Sequence, residues 1–256
     1  MSTPPMSTPR AAVVTGAGSG IGRAIATRLA VEGHAVAIVD LNPEAAETVA
    51  AELTDQGLSA LECGGVDVSD RAQVNDAVGR VRAELGPPLI LVNNAGITGF
   101  KNFLAITDDK WDRMMEVNLN GPFYCAQAVL PDMVEAGWGR IVNISSSSAQ
   151  SGQQFMVHYV TSKAGLIGFT KALALEFGPA GITVNTIPPG FVDTPMLRAS
   201  EERGLLGGTL EENADKTPVR RAGLPSDIAN ACAFLVGEEA SYITGQVIGV
   251  NGGRNT

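Results

Sequence analysis

Ala11-Ala12-Val13-Val14-Thr15 runs straight into Gly16-Ala17-Gly18-Ser19-Gly20-Ile21-Gly22, and this junction decides the fold. The first five residues are short, apolar or β-branched, as a buried strand requires. Gly16, Gly20 and Gly22 then supply a tight turn, and a helix opens behind it. Glycine reaches backbone conformations closed to other residues, and its missing side chain lets a ligand approach the amides. Amides at a helix N-terminus carry partial positive charge, so this strand–turn–helix suits a pyrophosphate. A glycine triad alone is weak; its place between a strand and a helix raises its weight.

Outward from the turn the same alternation repeats. Ala35–Val39, Leu89–Val92, Arg140–Ser145, Ile182–Ile187 and Val247–Val250 read as further buried strands, with Leu58–Glu62 a weaker one. Helical spacing fills Gly22–Glu32, Pro43–Gln56, Asp70–Leu85, Asp108–Gly137, Tyr159–Gly178 and Pro225–Gly237, and Asp70 and Asp108 are suited to capping. The pattern predicts an α/β fold: a single Rossmann-type, doubly wound parallel sheet of seven strands with helices on both faces. That domain is expected over residues 10–256, behind a polar, proline-rich tail at 1–9 expected to be disordered. Within it, residues 191–217 are expected to form a substrate lid, since glycines there interrupt Leu197, Leu205, Leu206 and Leu210. A disordered insertion is the alternative, and it would leave those leucines nothing to bury against.

Composition narrows the function. With 18 Lys and Arg against 27 Asp and Glu, the net charge of −9 argues against nucleic acid or an anionic membrane as partner. The 3 cysteines are scattered, and with only 2 histidines no zinc-holding spacing exists, so no metal is expected. The cysteines read as buried free thiols in a reducing, cytoplasmic setting.

Two further features carry chemistry. Asp40 closes the second strand, where a carboxylate accepts hydrogen bonds from both adenosine ribose hydroxyls and repels a 2′-phosphate. A turn or capping aspartate is the competing reading. Tyr159 and Lys163 stand at i and i+4, so on a helix they share a face. A phenol is a poor acid–base catalyst at neutral pH, and a neighbouring ammonium draws its pKa down. Taken alone, an exposed Tyr/Lys pair explains that spacing equally well.

These motifs together resemble the short-chain dehydrogenase/reductase family, over essentially residues 11–253. Its T-G-x-x-x-G-x-G pattern matches Thr15–Gly22, and its N-N-A-G segment matches Asn93-Asn94-Ala95-Gly96. Its Y-x-x-x-K matches Tyr159–Lys163, with Ser146 at the position of the family's serine and Asn118 at that of its helix-kinking asparagine. Ser145 is the runner-up in the run Ser145–Ser148, and a buried structural asparagine is the alternative for Asn118. The resemblance implies that Gly16, Ser19, Gly20, Ile21, Gly22, Asp40, Leu41, Asp67, Val68, Asn94, Ala95, Gly96, Tyr159, Lys163, Pro189, Gly190, Val192 and Thr194 bind a nicotinamide dinucleotide. It implies that Asn118, Ser146, Tyr159 and Lys163 are catalytic, and that Ser146, Ser148, Gln153 and Tyr159 face the substrate. NAD(H) is favoured over NADP(H), because Ser19, Leu41 and Asn42 occupy places where NADP-users of the family commonly carry a basic residue.

Within the family, Asn93–Thr98 and Gly165–Lys171 look most like 3-oxoacyl-thioester reductases. Those reductases typically prefer NADPH and carry basic residues that dock an acidic carrier protein. Here the corresponding places read Glu135-Ala136-Gly137 and Leu175 to Ala180, so a free or coenzyme A-linked hydroxy/oxo compound is expected instead. A sugar or steroid dehydrogenase of the same fold is the alternative, and a non-catalytic NAD-binding sensor a more distant one. Leu166, Ile167, Phe169, Leu173, Leu175 and Phe177 give one helix more apolar positions than a single stripe uses. The family pairs such helices across two-fold axes, which implies a homotetramer, with a dimer as the fallback.

Overall fold

Short aliphatic runs separated by amphipathic helices form one parallel sheet in the computed structural model, which describes residues 9–255. The strands are β1 (Ala11–Thr15), β2 (Ala35–Asp40), β3 (Ala60–Gly64), β4 (Pro88–Asn93), β5 (Gly139–Ile144) and β6 (Ile182–Ile187). They lie in the order β3-β2-β1-β4-β5-β6, and every neighbouring pair is parallel. The weak candidate near Leu58–Glu62 is thus a true strand. Residues 1–8 of the expected tail lie outside the described residues.

The helices are α1 (Gly20–Val31), α2 (Pro43–Asp55), α3 (Arg71–Glu84), α4 (Asp108–Met115), α5 (Gly121–Ala136), α6 (Ser148–Ser151), α7 (Val157–Phe177), α8 (Pro195–Glu202), α9 (Leu210–Asp215) and α10 (Pro225–Val236). Alternate strand residues point to opposite faces, so each face has its own core. On one, Val14 and Ile38 pack with Ile25 and Leu29 of α1, Leu53 of α2 and Ile228 of α10. On the other, Val13 and Leu91 pack with Val78 of α3 and Val129 and Met133 of α5. Burial on both faces explains why these strands lack polar alternation.

Three expectations are corrected. The sheet has six strands, not seven: Val247 and Val250 make only isolated parallel bridges to Thr186 and Pro189. The cause is local, for Pro188 and Pro189 follow β6 and neither can donate to a ladder. The helix expected over Asp108–Gly137 is interrupted, because a π-helical turn at Glu116–Asn120 separates α4 from α5. Finally, Asp70 caps α3 by accepting from Ala72 N and Gln73 N, but Asp108 does not cap α4; Thr107 stands at that N-cap without a side-chain bond.

The chain order reverses between β1 and β4, which opens a crevice beyond the strands' C-terminal ends. The stretch 191–217 contains α8 and α9 beside that crevice. Thr194 caps α8, and Thr209 with Glu212 forms a capping box on α9, so the stretch is ordered by its own sequence.

Candidate active site

The crevice is a cleft of about 520 Å³. Every residue expected from sequence to be catalytic or to bind cofactor or substrate lines it, except Gly22 and Asn118.

At one end lies the glycine turn. Gly16 and Gly20 have φ of 63° and 53°, in the left-handed region that favours glycine. Asn94 fixes the turn from across the switch point: its Nδ2 donates to Thr15 O (2.9 Å) and Gly16 O (3.1 Å). Thr15 Oγ1 answers by accepting from Asn94 N and Ala95 N, each at 3.0 Å. Gly22 acts from behind the turn, where a Cβ would run into Gly16 O. A phosphate thus meets bare backbone at the start of α1, and the residues fit the dinucleotide expected there.

Asp40 stands beside this turn. Its Oδ2 accepts from Gly18 N at 2.8 Å and its Oδ1 from Asn42 N at 2.9 Å. Each oxygen keeps lone-pair capacity for a ribose hydroxyl. Asp67 is held by Ser69 and by Arg113 on α4, the latter at 2.9 Å. Burial raises its carboxyl pKa, but the Ser69 and Arg113 bonds outweigh this and hold it below the usual range. Arg113 carried no motif and escaped sequence reading.

At the other end, α7 presents Tyr159 and Lys163 on one face. Lys163 is 5% exposed, and its Nζ donates to Ile144 O at 2.9 Å. Burial lowers its pKa to about 8. Burial raises that of Tyr159, while a hydrogen bond with Ser146 pulls it back in part.

The two candidate serines have different partners. Ser145 is buried and its hydroxyl donates to Lys163 O at 2.8 Å, facing the helix backbone. Ser146 Oγ lies 2.8 Å from Ser148 Oγ and, with Tyr159, lines the cleft. Asn118 sits behind, in the π-helical turn. Its Oδ1 accepts from Ile97 N (2.9 Å), and its Nδ2 donates to Ile97 O (3.0 Å) and Ser162 Oγ (3.1 Å). Gly96 separates it from Lys163: a Cβ there would lie 3.1 Å from Asn118 Oδ1 and 3.2 Å from Lys163 Nζ. Ser162, which also donates to Tyr159 O at 2.8 Å, links Asn118 to α7 and was missed for want of a motif.

Downstream, Pro189 O accepts from Ser147 N at 2.9 Å, joining the expected nicotinamide segment to the serine turn. Val192 is buried, and Thr194 Oγ1 accepts from Leu197 N. Phe100, Met156, Leu197, Leu205 and Leu206 make the substrate end apolar. Cys63 and Cys125 are buried thiols, pushed by burial up to about 11 and about 12. Among the described residues no cluster could hold a metal, and no helix is long and apolar enough to cross a membrane.

A glycine turn at a switch point, an acid at the end of β2 and a Ser–Tyr–Lys group beyond define a dinucleotide-dependent oxidoreductase. More particularly, the chain belongs to the short-chain dehydrogenase/reductase family. The family model described as Enoyl-(Acyl carrier protein) reductase matches residues 16–255. The chain is 42% identical over 245 residues to nodulation protein G of Azospirillum brasilense, covering 95% of this chain and 97% of that one. It is 41% identical over 246 residues to 3-oxoacyl-[acyl-carrier-protein] reductase FabG of Aquifex aeolicus, covering 95% and 96%. Against the FabG of Escherichia coli it is 39% identical over 245 residues, covering 94% and 96%. The protein is an enzyme of this family, acting between CH–OH and C=O with a nicotinamide cofactor.

Proposed function

We propose that the enzyme uses NAD(H) to interconvert a secondary alcohol and a ketone, with a 3-oxoacyl or 3-hydroxyacyl thioester, or a similar small hydroxy/oxo compound, as substrate. The observation that carries this is that Ser146, Tyr159 and buried Lys163 line the same cleft as the glycine turn and Asp40. Similarity to the FabG reductases supports the substrate class. Asp40, with Ser19, Leu41 and Asn42 offering no cation near it, supports NAD(H).

The bound nicotinamide supplies or accepts the hydride. The protein supplies position and a proton path. Gly16, Ser19, Gly20, Ile21 and Gly22 hold the pyrophosphate, Asp40 and Leu41 the adenosine ribose, and Asp67 and Val68 the adenine. Asn94, Ala95 and Gly96 let the backbone pass close, while Pro189, Gly190, Val192 and Thr194 orient the carboxamide. Ser146 hydrogen-bonds the substrate oxygen. Tyr159 gives that oxygen a proton in reduction and takes it back in oxidation. Lys163 holds ribose hydroxyls and tunes the phenol, with Asn118 fixing the backbone behind it. Ser148 and Gln153 border the substrate. Residues 191–217 act as a lid that excludes water.

A carrier-linked substrate is disfavoured because Glu135 and the apolar Leu175 stand where a basic docking surface would be. The test is consumption of NADH or NADPH with acetoacetyl-coenzyme A, its carrier-protein counterpart, and sugar and steroid ketones. Turnover of a 3-oxo thioester is expected; turnover confined to sugars or steroids would replace this substrate class.

A further inference from the structure

The end of the chain is built into the cleft. Asn255 Nδ2 donates to Ser147 O at 2.6 Å, next to Ser146. Asn251 holds the intervening turn, accepting from Gly253 N at 2.9 Å and donating to Asn255 O at 3.2 Å. Gly252 and Gly253 have φ of 64° and 84°, and a Cβ on Gly252 would lie 2.6 Å from Thr217 Cγ2. The turn therefore fits tightly under the end of the 191–217 stretch.

This anchoring places Arg254 on the cleft wall, its guanidinium 5.0 Å from the centre of the Phe191 ring. Stacking on an aromatic face orients the planar fork while leaving its N–H edges open. The other cleft cations are engaged: Lys163 with Ile144 O, and Arg113 with Asp67 and Ser69. The Arg254 guanidinium has neither a carboxylate nor a hydrogen-bond acceptor among the described residues. The cleft's acids, Asp40 and Asp67, both belong to the adenosine end. In a chain of net charge −9, the substrate end is thus lined by an arginine and no acid.

We infer that Arg254 is a specificity residue that pairs with an oxyanion of the substrate, either the carboxylate of a free oxo acid or a phosphate of a coenzyme-linked one. Resting on the reductase reading, this deepens it: the preferred substrate is anionic. An arginine paired with an oxyanion makes charge-assisted hydrogen bonds that a neutral substrate cannot.

The experiment compares wild type, Arg254→Gln and Arg254→Lys on two matched pairs. Acetoacetate against its methyl ester reads a carboxylate; acetoacetyl-coenzyme A against the acetoacetyl thioester of N-acetylcysteamine reads a phosphate. Arg254→Gln should raise KM for the anionic member of one pair about tenfold, change the neutral member less than about twofold, and leave kcat nearly unchanged. Arg254→Lys should recover part of the loss, and NADH affinity by fluorescence titration should not move. Equal losses on both members, no loss on either, or weakened NADH binding would overturn the assignment. Calorimetric binding of the same probes separates the two readings. Absence of turnover with every carbonyl removes the reductase reading, whereas equal binding of the anionic probes to wild type and Arg254→Gln removes the anion site.

Discussion

Lys163 Nζ donates to Ile144 O at 2.9 Å, tying α7 to the end of β5 with an ammonium whose pKa burial has lowered. Its pKa falls from 10.5 to about 8 on folding, so between those values the unfolded chain binds the extra proton. Stability from this group is present in full above the unfolded value and is lost as pH falls toward the folded one. Wild type should therefore gain stability relative to Lys163→Met on going from pH 7.5 to pH 10, by up to about 3 kcal/mol. Denaturant titrations of the two proteins at both pH values check this. A constant difference would mean that Lys163 keeps its ordinary pKa.

Tyr159→Phe should lower kcat by about 10²-fold or more, since it removes the proton donor. NADH affinity should be nearly unchanged, because the phenyl ring keeps the wall of the cleft. Lys163→Ala should reduce both turnover and NADH binding. Retention of more than a few per cent of activity by the phenylalanine variant would exclude Tyr159 as the acid–base group.

NADH should exceed NADPH in kcat/KM by about tenfold or more, which needs only about 1.4 kcal/mol from the repulsion between Asp40 and a 2′-phosphate. Asp40→Ser should narrow the ratio by relieving NADPH of that repulsion as well as by weakening NADH. Comparable efficiency of the two cofactors in wild type would remove Asp40 from that role.

On α7 Leu175 is 84% exposed, and on α5 Val134 is 46% exposed. A paired arrangement of these helices would cover both. Light scattering is expected to give a tetramer of the 26.5 kDa chain, or at least a dimer. Leu175→Lys should lower that mass. A monomeric mass for wild type at micromolar concentration would exclude both assemblies.

Much of this was legible because the relevant chemistry is local in sequence. The glycine turn follows its strand directly, and Tyr159 and Lys163 share one helix face. Ser146 was separable from Ser145 only in three dimensions, since the choice depends on which hydroxyl meets the Lys163 carbonyl. Arg113, Ser162 and Arg254 escaped for the same reason, each taking its role from a neighbour distant in sequence. The seventh strand was overread because Val247–Val250 has the right composition, whereas the obstacle lies in its partner, at Pro188 and Pro189. The irregularity in the long helix was signalled by the resemblance at Asn118, but its π-helical form was not, since that form depends on which carbonyl each amide meets.

Those two prolines also set how the molecule loosens. Beyond β6 the last segment is joined to it by separate bonds, Thr186 N donating to Gln246 O, Ile248 N to Thr186 O and Gly190 N to Val250 O, without a continuous ladder. Such a segment opens on its own, at a lower free energy than the sheet beside it. Hydrogen exchange should therefore be faster at residues 247–255 than at Ile182–Ile187. Each opening would withdraw Asn255 from Ser147 O and free Gly190 N, while the glycine turn and Asp40 at the adenosine end keep their own bonds.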